Sequence, residues 1–379
     1  MRHKIIAPFA FIVMALSVLI TCSAAGATQE EEKFSRKSLS EQMDEINDNL
    51  YELSDNPAFG GFYYEGDTLI VNVVEGQPIA YHQTPSFFST YPDVEVHYRT
   101  VKYSLDFLES VKDALVPQMS SLGISVLDAN EATNQVDIYL SHTGEQVQST
   151  IIQLIDNSFG ISDFLNFIDY SNLSIRNNIG DVSDEPSNID TNSVALSIGL
   201  FSHGDKIIIN NHSYTLGPAS SPSIAYTAGH DYSLQPAVYD YTDSTKQIGT
   251  IATSKFGGSD GDWGRIQAVS GCSFYPRSSF KTAAMGQTVY MHGGKSGWTI
   301  GTVKGTDQTV MINAALKPLT GMFSANYLSA NGDSGAGIFS STSNIDPNVA
   351  YGVHSSSTYY IETGAWAGTS YFTPSNKLS

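Results

Sequence analysis

The sequence predicts a chain of two parts, an acidic α+β region over residues 28–190 and an all-β region over residues 191–379. Residues 1–190 hold 28 of the 38 acidic and 9 of the 19 basic side chains, and the remainder holds 10 of each, so the formal net charge of −19 belongs to the first half. The pattern changes near Val194 from periodic segments of helix length to short apolar runs between Gly, Ser, Asn and Asp. Many short strands indicate a sandwich or barrel, and roughly 190 residues suit two small barrels. Two domains that merely differ in composition are the alternative to a separable acidic segment.

The first 27 residues have the composition of an export signal. A basic start, Arg2-His3-Lys4, precedes an apolar run from Ile5 to Ile20, and Ala25-Gly26-Ala27 offers a small-x-small cleavage site. Because the run is short for a membrane span, we expect a signal peptide over residues 1–27 that is removed from a secreted protein. Cys22 permits a lipid anchor as an alternative, although the threonine before it fits that motif poorly.

Removal of that segment leaves Cys272 as the only cysteine, which excludes an intramolecular disulfide. A chain of this size can bury enough apolar core to fold without one. A lone cysteine is more often a small buried apolar group than a reactive one, so we assign Cys272 no function.

Helical and hairpin patterns alternate twice within the acidic region. Apolar residues at helical spacing predict helices over Ser38–Asp55, Ser104–Met119 and Gln146–Ile155. Alternating apolar residues on either side of turn residues predict hairpins over Tyr63–Val74 and Ile124–Leu140. A helix followed by a hairpin, twice, indicates a weak internal duplication in an α+β region.

A polar stretch separates this region from the β-rich part. Ile175–Asn192 carries Asn-Asn, Asp-Glu-Pro and few apolar anchors, which predicts a linker where proteolytic processing falls. The short β-rich runs that follow are Lys206–Asn210, Ile248–Ser254, Thr288–His292, Thr299–Lys304, Thr309–Ala314 and Val349–His354.

Three motifs in the second half supply the groups of a nucleophilic serine site. Gly332-Asp333-Ser334-Gly335 presents a serine, whose hydroxyl needs an imidazole to take its proton and a carboxylate to orient that imidazole. Thr227-Ala228-Gly229-His230 offers the imidazole, and Asp262-Trp263-Gly264-Arg265-Ile266 offers the carboxylate, 32 residues after His230 and 72 before Ser334. We therefore predict His230, Asp262 and Ser334 as catalytic residues. Asp260 is the alternative carboxylate, and only the Trp-Gly pattern favours Asp262.

These motifs resemble those of chymotrypsin-like serine proteases of the streptogrisin and α-lytic protease branch. Gly293–Val303 resembles the Gly-x-x-Thr-Gly-Trp-x-x-Gly-x-Val strand pair of that branch, and the match runs from about residue 193 to Pro374. The resemblance implies two six-stranded β-barrels with the active site in the cleft between them. It also implies an oxyanion hole formed by the backbone N–H groups of Gly332 and Ser334. Asp231 stands where the branch has a disulfide-bonded cysteine, and Ala336 replaces a glycine.

The same resemblance predicts a specificity pocket. Leu328, six residues before the serine, is placed near the pocket base and argues against cleavage after Lys or Arg. His354 stands where glutamate-specific relatives have a histidine that binds a carboxylate, and Ser329, Ser355 and Ser357 offer hydroxyls beside it. An imidazole with hydroxyl donors suits an anion. The alternatives are a preference for an apolar side chain, or a histidine that is merely packed at the cleft edge.

A short motif in the acidic region resembles a prosegment. Val126–Ile138 carries the Asp-x-x-Thr-Asn-x-Val pattern of prosegments in this branch in approximate form. The resemblance implies that residues 28–190 are a folding aid and an inhibitor, later removed from a protease that begins at about residue 191. An acid-specific enzyme is expected to cut after Asp190 or near Asp184. A retained N-terminal domain for adhesion or substrate binding is the alternative.

Other classes of protein fit the sequence less well. A catalytically inactive homologue used for binding usually lacks a triad residue, and all three positions are filled here. The sequence has neither a His-Glu-x-x-His motif nor clustered metal ligands, and we predict no metal and no cofactor. It also has no basic patch for nucleic acid. The predicted partners are protein or peptide substrates and the chain's own prosegment, and the predicted form is a monomer.

Overall fold

The computed structural model describes residues 38–77, 88–181, 195–196, 199–230, 235–312, 318–343 and 348–378. The chain divides into two compact units, residues 1–43 and residues 44–379. In the first unit, Ser38 and Glu41 form a reciprocal capping box, with the Ser38 N–H donating to Glu41 Oε2 at 2.8 Å. The predicted signal peptide, the predicted cleavage positions Asp184 and Asp190, and Asp231 lie outside the described residues.

The second unit contains nearly all of the described helices and strands. The helices are α1 (Leu39–Tyr51, which begins in the first unit), α2 (Leu105–Leu115), α3 (Met119–Leu122) and α4 (Glu145–Phe159), with 3₁₀ turns at Val116–Gln118 and Ser375–Lys377. The strands before residue 190 are β1 (Phe59–Glu65), β2 (Thr68–Val74), β3 (Glu95–Val101), β4 (Ile124–Asn130), β5 (Gln135–Leu140), β6 (Leu165–Asp169), β7 (Leu173–Asn177) and β8 (Gly180–Asp181). Those after it are β9 (Ala195–Leu196), β10 (Gly199–Phe201), β11 (Lys206–Ile209), β12 (His212–Thr215), β13 (Ala219–Ser221), β14 (Ile224–Thr227), β15 (Ala237–Asp240), β16 (Lys246–Phe256), β17 (Asp262–Ala268), β18 (Cys272–Phe274), β19 (Ser278–Phe280), β20 (Thr288–Gly293), β21 (Gly297–Val310), β22 (Leu319–Ala325), β23 (Gly337–Phe339), β24 (Asn348–Tyr360) and β25 (Trp366–Pro374).

The α+β region repeats one arrangement of strands. β1 and β2 form an antiparallel hairpin, and β3 adds to β2 in parallel. β4 and β5 form a second antiparallel hairpin, and β6 adds to β5 in parallel. The predicted helices and hairpins are therefore present, and the shared order of pairing agrees with the predicted internal duplication.

The first barrel closes through one bent stretch of chain. β12 pairs with β11, and β13 pairs with β14. The two short strands are joined at Gly217, whose N–H donates to the Tyr226 carbonyl at 2.8 Å. With β14–β17, β17–β16, β16–β15 and β15–β11 also paired, the ring has six sides. Its core is apolar and includes Ile207, Tyr214, Leu216, Val238 and Ile266.

The second barrel closes directly. Its strands pair in the ring β20–β23–β24–β25–β22–β21, and β21 returns to β20. The buried core includes Val289, Met291, Ile338, Tyr351 and Phe372. The prediction of two six-stranded β-barrels after an α+β region is confirmed.

The α+β region pairs with both barrels. β4 extends the second barrel at β21, β7 lies antiparallel to β24, and β8 lies antiparallel to β12 of the first barrel. The linker predicted over Ile175–Asn192 is therefore wrong as far as Asp181, because strand edges of the two barrels supply the hydrogen bonds that this polar stretch cannot make within itself. The rest of that linker lies outside the described residues.

Candidate active site

His230 and Asp262 meet at one end of the first barrel. His230 follows β14 and Asp262 begins β17, and the pairing of these strands brings the two residues together. The Nδ1 atom of His230 lies 2.6 Å from Asp262 Oδ2, and the Gly229 N–H donates to Asp262 Oδ1 at 2.7 Å. Asp260, the alternative carboxylate, is largely exposed and pairs with Lys255 at 3.1 Å. The geometry therefore favours Asp262.

A third group, Ser355, contacts the Asp262 carboxylate. Its hydroxyl donates to Asp262 Oδ2 at 2.5 Å. Burial alone raises the pKa of Asp262, but the His230 imidazole and the hydrogen bonds from Ser355 and Gly229 outweigh it and leave the pKa below its ordinary value. The carboxylate is thus held in its charged form, which is the form that orients an imidazole.

Ser334 lies in the loop before β23, on the second barrel. Its hydroxyl donates to the Ser355 carbonyl at 3.3 Å, so Ser355 contacts both Ser334 and Asp262. Within the described part of the chain, His230 Nε2 is buried without a hydrogen-bond partner. The three predicted residues are therefore gathered around Ser355, and the direct Ser334–His230 hydrogen bond is not formed.

Asp333 fixes the shape of this loop. Its carboxylate accepts the backbone N–H groups of Lys295, Ser296 and Ala330 at 2.8 to 3.0 Å, and the Ser296 hydroxyl at 2.5 Å. Gly332 has a φ of 103°, a conformation that costs an L side chain strain. Together they turn the N–H groups of Gly332 and Ser334, on either side of Asp333, to the same side.

Both of those N–H groups donate to one carbonyl oxygen. That oxygen belongs to Asn178, 2.6 Å from the Gly332 nitrogen and 3.2 Å from the Ser334 nitrogen. Two backbone donors on one oxygen beside a serine hydroxyl are the geometry that stabilises a tetrahedral oxyanion. The two N–H groups predicted to form an oxyanion hole therefore converge on a carbonyl of the chain itself.

The Asn178 side chain occupies the predicted pocket. Its Nδ2 lies 2.9 Å from Ser329 Oγ, 2.9 Å from His354 Nε2 and 3.1 Å from Ser357 Oγ. The Tyr359 hydroxyl donates to Asn178 Oδ1 at 2.8 Å. Sequence reasoning identified three of these pocket residues but missed Asn178 and Tyr359, because no local pattern relates residue 178 to a strand about 180 positions later.

His354 is a neutral group in this pocket. Its Nδ1 lies 2.9 Å from the Tyr327 hydroxyl, opposite its contact with Asn178. Burial lowers the pKa of His354 to about 4, because the protonated form loses its hydration. The imidazole therefore offers one donor and one acceptor at neutral pH.

Two predicted pocket residues lie elsewhere. The side chain of Leu328 is 50% exposed, and its carbonyl accepts the Thr299 hydroxyl, so it does not form the pocket base. Ser355 points to Asp262 rather than into the pocket, because it is the extra residue of a bulge in β24 between His354 and Ser356. The bulge leaves both His354 and Ser357 in contact with Asn178. The predictions for Leu328 and Ser355 are wrong in these respects.

The rest of the described chain offers little other site chemistry. No group of three or more His, Cys, Asp or Glu among the residues described is arranged to hold a metal ion. No helix in that part of the chain is both long and apolar enough to cross a bilayer.

Comparison with known proteins finds solved serine proteases. The chain is similar to Thermobifida fusca protease A, with 26% identity over 48% of this chain and 94% of that one and a TM-score of 0.38. It is also similar to Cellulomonas bogoriensis chymotrypsin, with 22% identity, 48% and 94% coverage and a TM-score of 0.36. A third is a glutamic-acid-specific serine protease with a histidine triad in substrate binding, with 21% identity, 47% and 95% coverage and a TM-score of 0.37. No family model and no curated protein matches the chain.

A His–Asp pair on one six-stranded barrel faces a Gly-Asp-Ser-Gly serine on a second barrel, with two N–H groups directed at a carbonyl. This is the arrangement of a chymotrypsin-like serine protease, which is a hydrolase.

Proposed function

We propose that the chain is a secreted serine endopeptidase that is made as a larger inactive precursor and cleaves proteins through an acyl-enzyme. The observation that carries the proposal is the carbonyl held by the N–H groups of Gly332 and Ser334 next to the His230–Asp262 pair. The roles of the individual residues follow from their contacts.

In the proposed reaction, Ser334 Oγ attacks the carbonyl carbon of the substrate and its proton passes to His230 Nε2. Asp262 holds the opposite ring nitrogen at 2.6 Å and stabilises the imidazolium that forms. The Gly332 and Ser334 N–H groups bind the developing oxyanion, and loss of one such donor typically costs about 10² to 10³ in rate. His230 then protonates the leaving amine, and water releases the acyl group by the reverse sequence.

The barrel edges offer a binding groove for an extended peptide. β24 and β12 each pair antiparallel with a strand of the α+β region. Once that region is removed, the same two edges can pair in the same manner with a substrate. Residues before the scissile bond lie along β24 and residues after it lie along β12. This placement supports cleavage within a polypeptide rather than at its ends.

The pocket supports a preference for short polar side chains, including the Glu or Asp predicted from the sequence. Ser329, Ser357, Tyr359 and His354 all direct polar atoms into it, which disfavours an apolar occupant because those atoms lose their partners. A carboxylate accepts hydrogen bonds from the three hydroxyls. It also needs a proton on the His354 nitrogen that faces it.

Replacement of the nucleophile tests the proposed function. We expect Ser334→Ala to lose about 10⁴-fold or more of the casein-hydrolysing activity of the processed protein, and to lose labelling by a serine-directed phosphonate. Ser341→Ala changes an exposed serine of the same barrel and serves as the matched control. Unchanged hydrolysis in Ser334→Ala, or no label on folded processed protein, contradicts the proposal.

Export and removal of the acidic region are tested on the protein that expressing cells release into the culture medium. We expect the active protein in the culture medium, shortened from its N-terminus and free of residues 1–27. Intact-mass measurement of the secreted form identifies both ends. Full-length protein retained inside the cells with full activity contradicts this part of the proposal.

A further inference from the structure

We infer that the chain cleaves itself between Asn178 and Ile179, and that its specificity pocket takes a carboxamide side chain, that of asparagine. This inference rests on the proposed function and names its first substrate, which is the chain's own segment from Leu173 to Asp181. It replaces the cleavage near Asp184 or Asp190 expected from the sequence.

The backbone of this segment lies as a substrate does. Leu173–Asn177 pairs antiparallel with β24 from Tyr360 to Ser356, on the second barrel. Gly180 and Asp181 then pair antiparallel with Ser213 and His212 of β12, on the first barrel. Asn178 and Ile179 lie between the two paired stretches, so the bond joining them crosses the cleft where Ser334 lies.

The carbonyl of that bond is the one in the oxyanion hole. Asn178 O accepts both the Gly332 and the Ser334 N–H groups, at 2.6 and 3.2 Å. Within the described chain, these two N–H groups share this one carbonyl oxygen. The two contacts select the Asn178–Ile179 bond among its neighbours.

The side chain before the bond, that of Asn178, is held by hydrogen bonds in the pocket. The Asn178 carboxamide is fully buried, with Ser329, Ser357 and His354 around its nitrogen and Tyr359 on its oxygen. A carboxamide satisfies these groups without a net charge, whereas a carboxylate at neutral pH meets an imidazole whose pKa is lowered to about 4. A lysine ammonium in this place has no carboxylate partner among the groups that contact Asn178.

The residues after the bond fit equally closely. Ile179 packs on the apolar core of the first barrel. A Cβ added to Gly180 lies 3.0 Å from the Gly332 Cα and 3.2 Å from the Ser213 Cβ, which is closer than ordinary van der Waals contact. The cleft therefore leaves room only for a glycine at this position. The sequence Asn-Ile-Gly is therefore matched to the cleft at three successive positions.

The Ser334 hydroxyl is not hydrogen-bonded to His230 in this structure. The Ser334 hydroxyl donates to the Ser355 carbonyl at 3.3 Å, while His230 Nε2 lacks a partner among the described residues. Rotation of the hydroxyl toward His230 Nε2 starts the reaction. Before that rotation, the segment fills the cleft and excludes other substrates.

The step balances with water as the only co-reactant. Ser334 Oγ forms an ester with the Asn178 carbonyl carbon, the bond to the Ile179 nitrogen breaks, and the serine proton reaches that nitrogen through His230. Water then attacks the ester, its proton returns to Ser334 through His230, and Asn178 leaves as a carboxylate terminus. The products are a new amino group at Ile179 and a new carboxylate at Asn178.

The first experiment follows the fate of the full chain. We expect N-terminal sequencing and intact masses of the purified wild type to show one product that begins at Ile179 and another that ends at Asn178, and Ser334→Ala to show neither. Asn178→Lys is expected to slow this cleavage about 100-fold or more, because the lysine loses the buried hydrogen bonds. Asn172→Lys places the same substitution at an exposed position directly before this segment and leaves the rate unchanged.

A second measurement decides the matter if Asn178→Lys does not fold. Processed wild type is given the synthetic peptide Leu-Ser-Ile-Arg-Asn-Asn-Ile-Gly-Asp, which is the sequence of residues 173–181, and a copy with Lys in place of the second Asn. We expect cleavage after the second Asn of the first peptide and at least about 100-fold slower cleavage of the copy. Casein hydrolysis with no cut at Asn-Ile, or a full-chain digest with no fragment ending at Asn178, overturns this inference and leaves the proposed function standing. Absence of both phosphonate labelling and casein hydrolysis overturns both.

Discussion

At the scale of single residues, Ser355 holds the site together. Its hydroxyl donates to the Asp262 carboxylate and its carbonyl accepts the Ser334 hydroxyl, so one residue contacts a proposed catalytic group of each barrel. Its neighbour Ser356 is also buried, yet its hydroxyl has no hydrogen-bond partner in the described chain. The two serines therefore form a natural pair for comparison.

Ser355→Ala is expected to lower kcat/KM about tenfold, because the Asp262 carboxylate loses one of the hydrogen bonds that lower its pKa. A higher pKa for Asp262 means that acid protonates it earlier, so the acidic limb of the pH–rate profile moves to higher pH. Ser356→Ala serves as the control and leaves that limb in place. An unshifted acidic limb in Ser355→Ala contradicts the assigned role.

Gly332→Ala tests the oxyanion hole. The φ of 103° strains an alanine, and relief of that strain rotates the Gly332 N–H away from the oxyanion, so we expect kcat to fall about 10² to 10³-fold. Gly364 also has a positive φ, of 66°, with no heavy atom within 4 Å of an added Cβ, and lies exposed in the turn after β24. Gly364→Ala therefore introduces similar strain outside the loop that carries the oxyanion donors, and equal losses of kcat in both variants rule out a specific role for Gly332.

At the scale of elements, the loop before β23 is held in place by hydrogen bonds to one carboxylate, that of Asp333. Asp333 accepts four hydrogen bonds, three of them from backbone N–H groups that otherwise lack partners. These four neutral donors, rather than a cationic side chain, hold the Asp333 carboxylate. The loop thereby presents the Gly332 and Ser334 N–H groups on one side. The bulge in β24 at Ser355 also positions site residues, because it leaves His354 in the pocket and Ser355 on the Asp262 carboxylate.

Asp333→Asn is expected to destabilise the protein by about 3 kcal/mol, since an amide replaces one accepting oxygen by a donor that faces other donors. Urea unfolding in the Ser334→Ala background measures this without self-cleavage. Asp240→Asn changes a half-buried carboxylate that caps a turn through the Thr242 N–H, and we expect it to cost less than about 1 kcal/mol. Similar costs for the two variants contradict the role given to Asp333.

At the scale of the whole molecule, the α+β region meets the second barrel through buried carboxyl groups. Glu131 accepts the Thr306 hydroxyl at 3.0 Å, Asp128 accepts the Gln308 amide at 2.8 Å, and Asp44 accepts the Tyr351 hydroxyl at 2.7 Å. Burial raises the pKa of Glu131 to about 8, of Asp128 to about 7 and of Asp44 to about 6. Burial therefore favours the protonated carboxyls, and the hydrogen bonds donated to them offset its effect on the pKa values only in part.

The unprocessed chain is expected to lose stability between pH 6.5 and 9. A pKa raised by folding means that the native state binds more protons than the unfolded one, so the stabilisation is full below the unfolded pKa and is lost as the pH rises through the folded value. Asp128 and Glu131 titrate in this window. Urea unfolding of full-length Ser334→Ala at both pH values measures the loss, and Glu131→Gln is expected to reduce it. Equal or greater stability at pH 9 contradicts this account.

Much of the architecture was predictable from local pattern. Helical spacing located α1, α2 and α4, and turn residues separated the hairpin strands β1–β2 and β4–β5, because these elements depend on neighbours close in sequence. The continuous strand β21 was predicted as two shorter runs, because its bulges against β22 interrupt the alternation of apolar residues.

The candidate active site was likewise predictable from the sequence only in part. The sequence by itself determined which groups we propose to react, because the His230, Asp262 and Ser334 motifs each carry their chemistry within a few residues. Only the tertiary structure decided that Leu328 faces outward, that Ser355 contacts Asp262, and that Asn178 fills the pocket. Each of these depends on strands from distant parts of the chain meeting at one cleft, and the strength of such contacts is set by burial and by the loss of water, which no spacing of residues along the chain records.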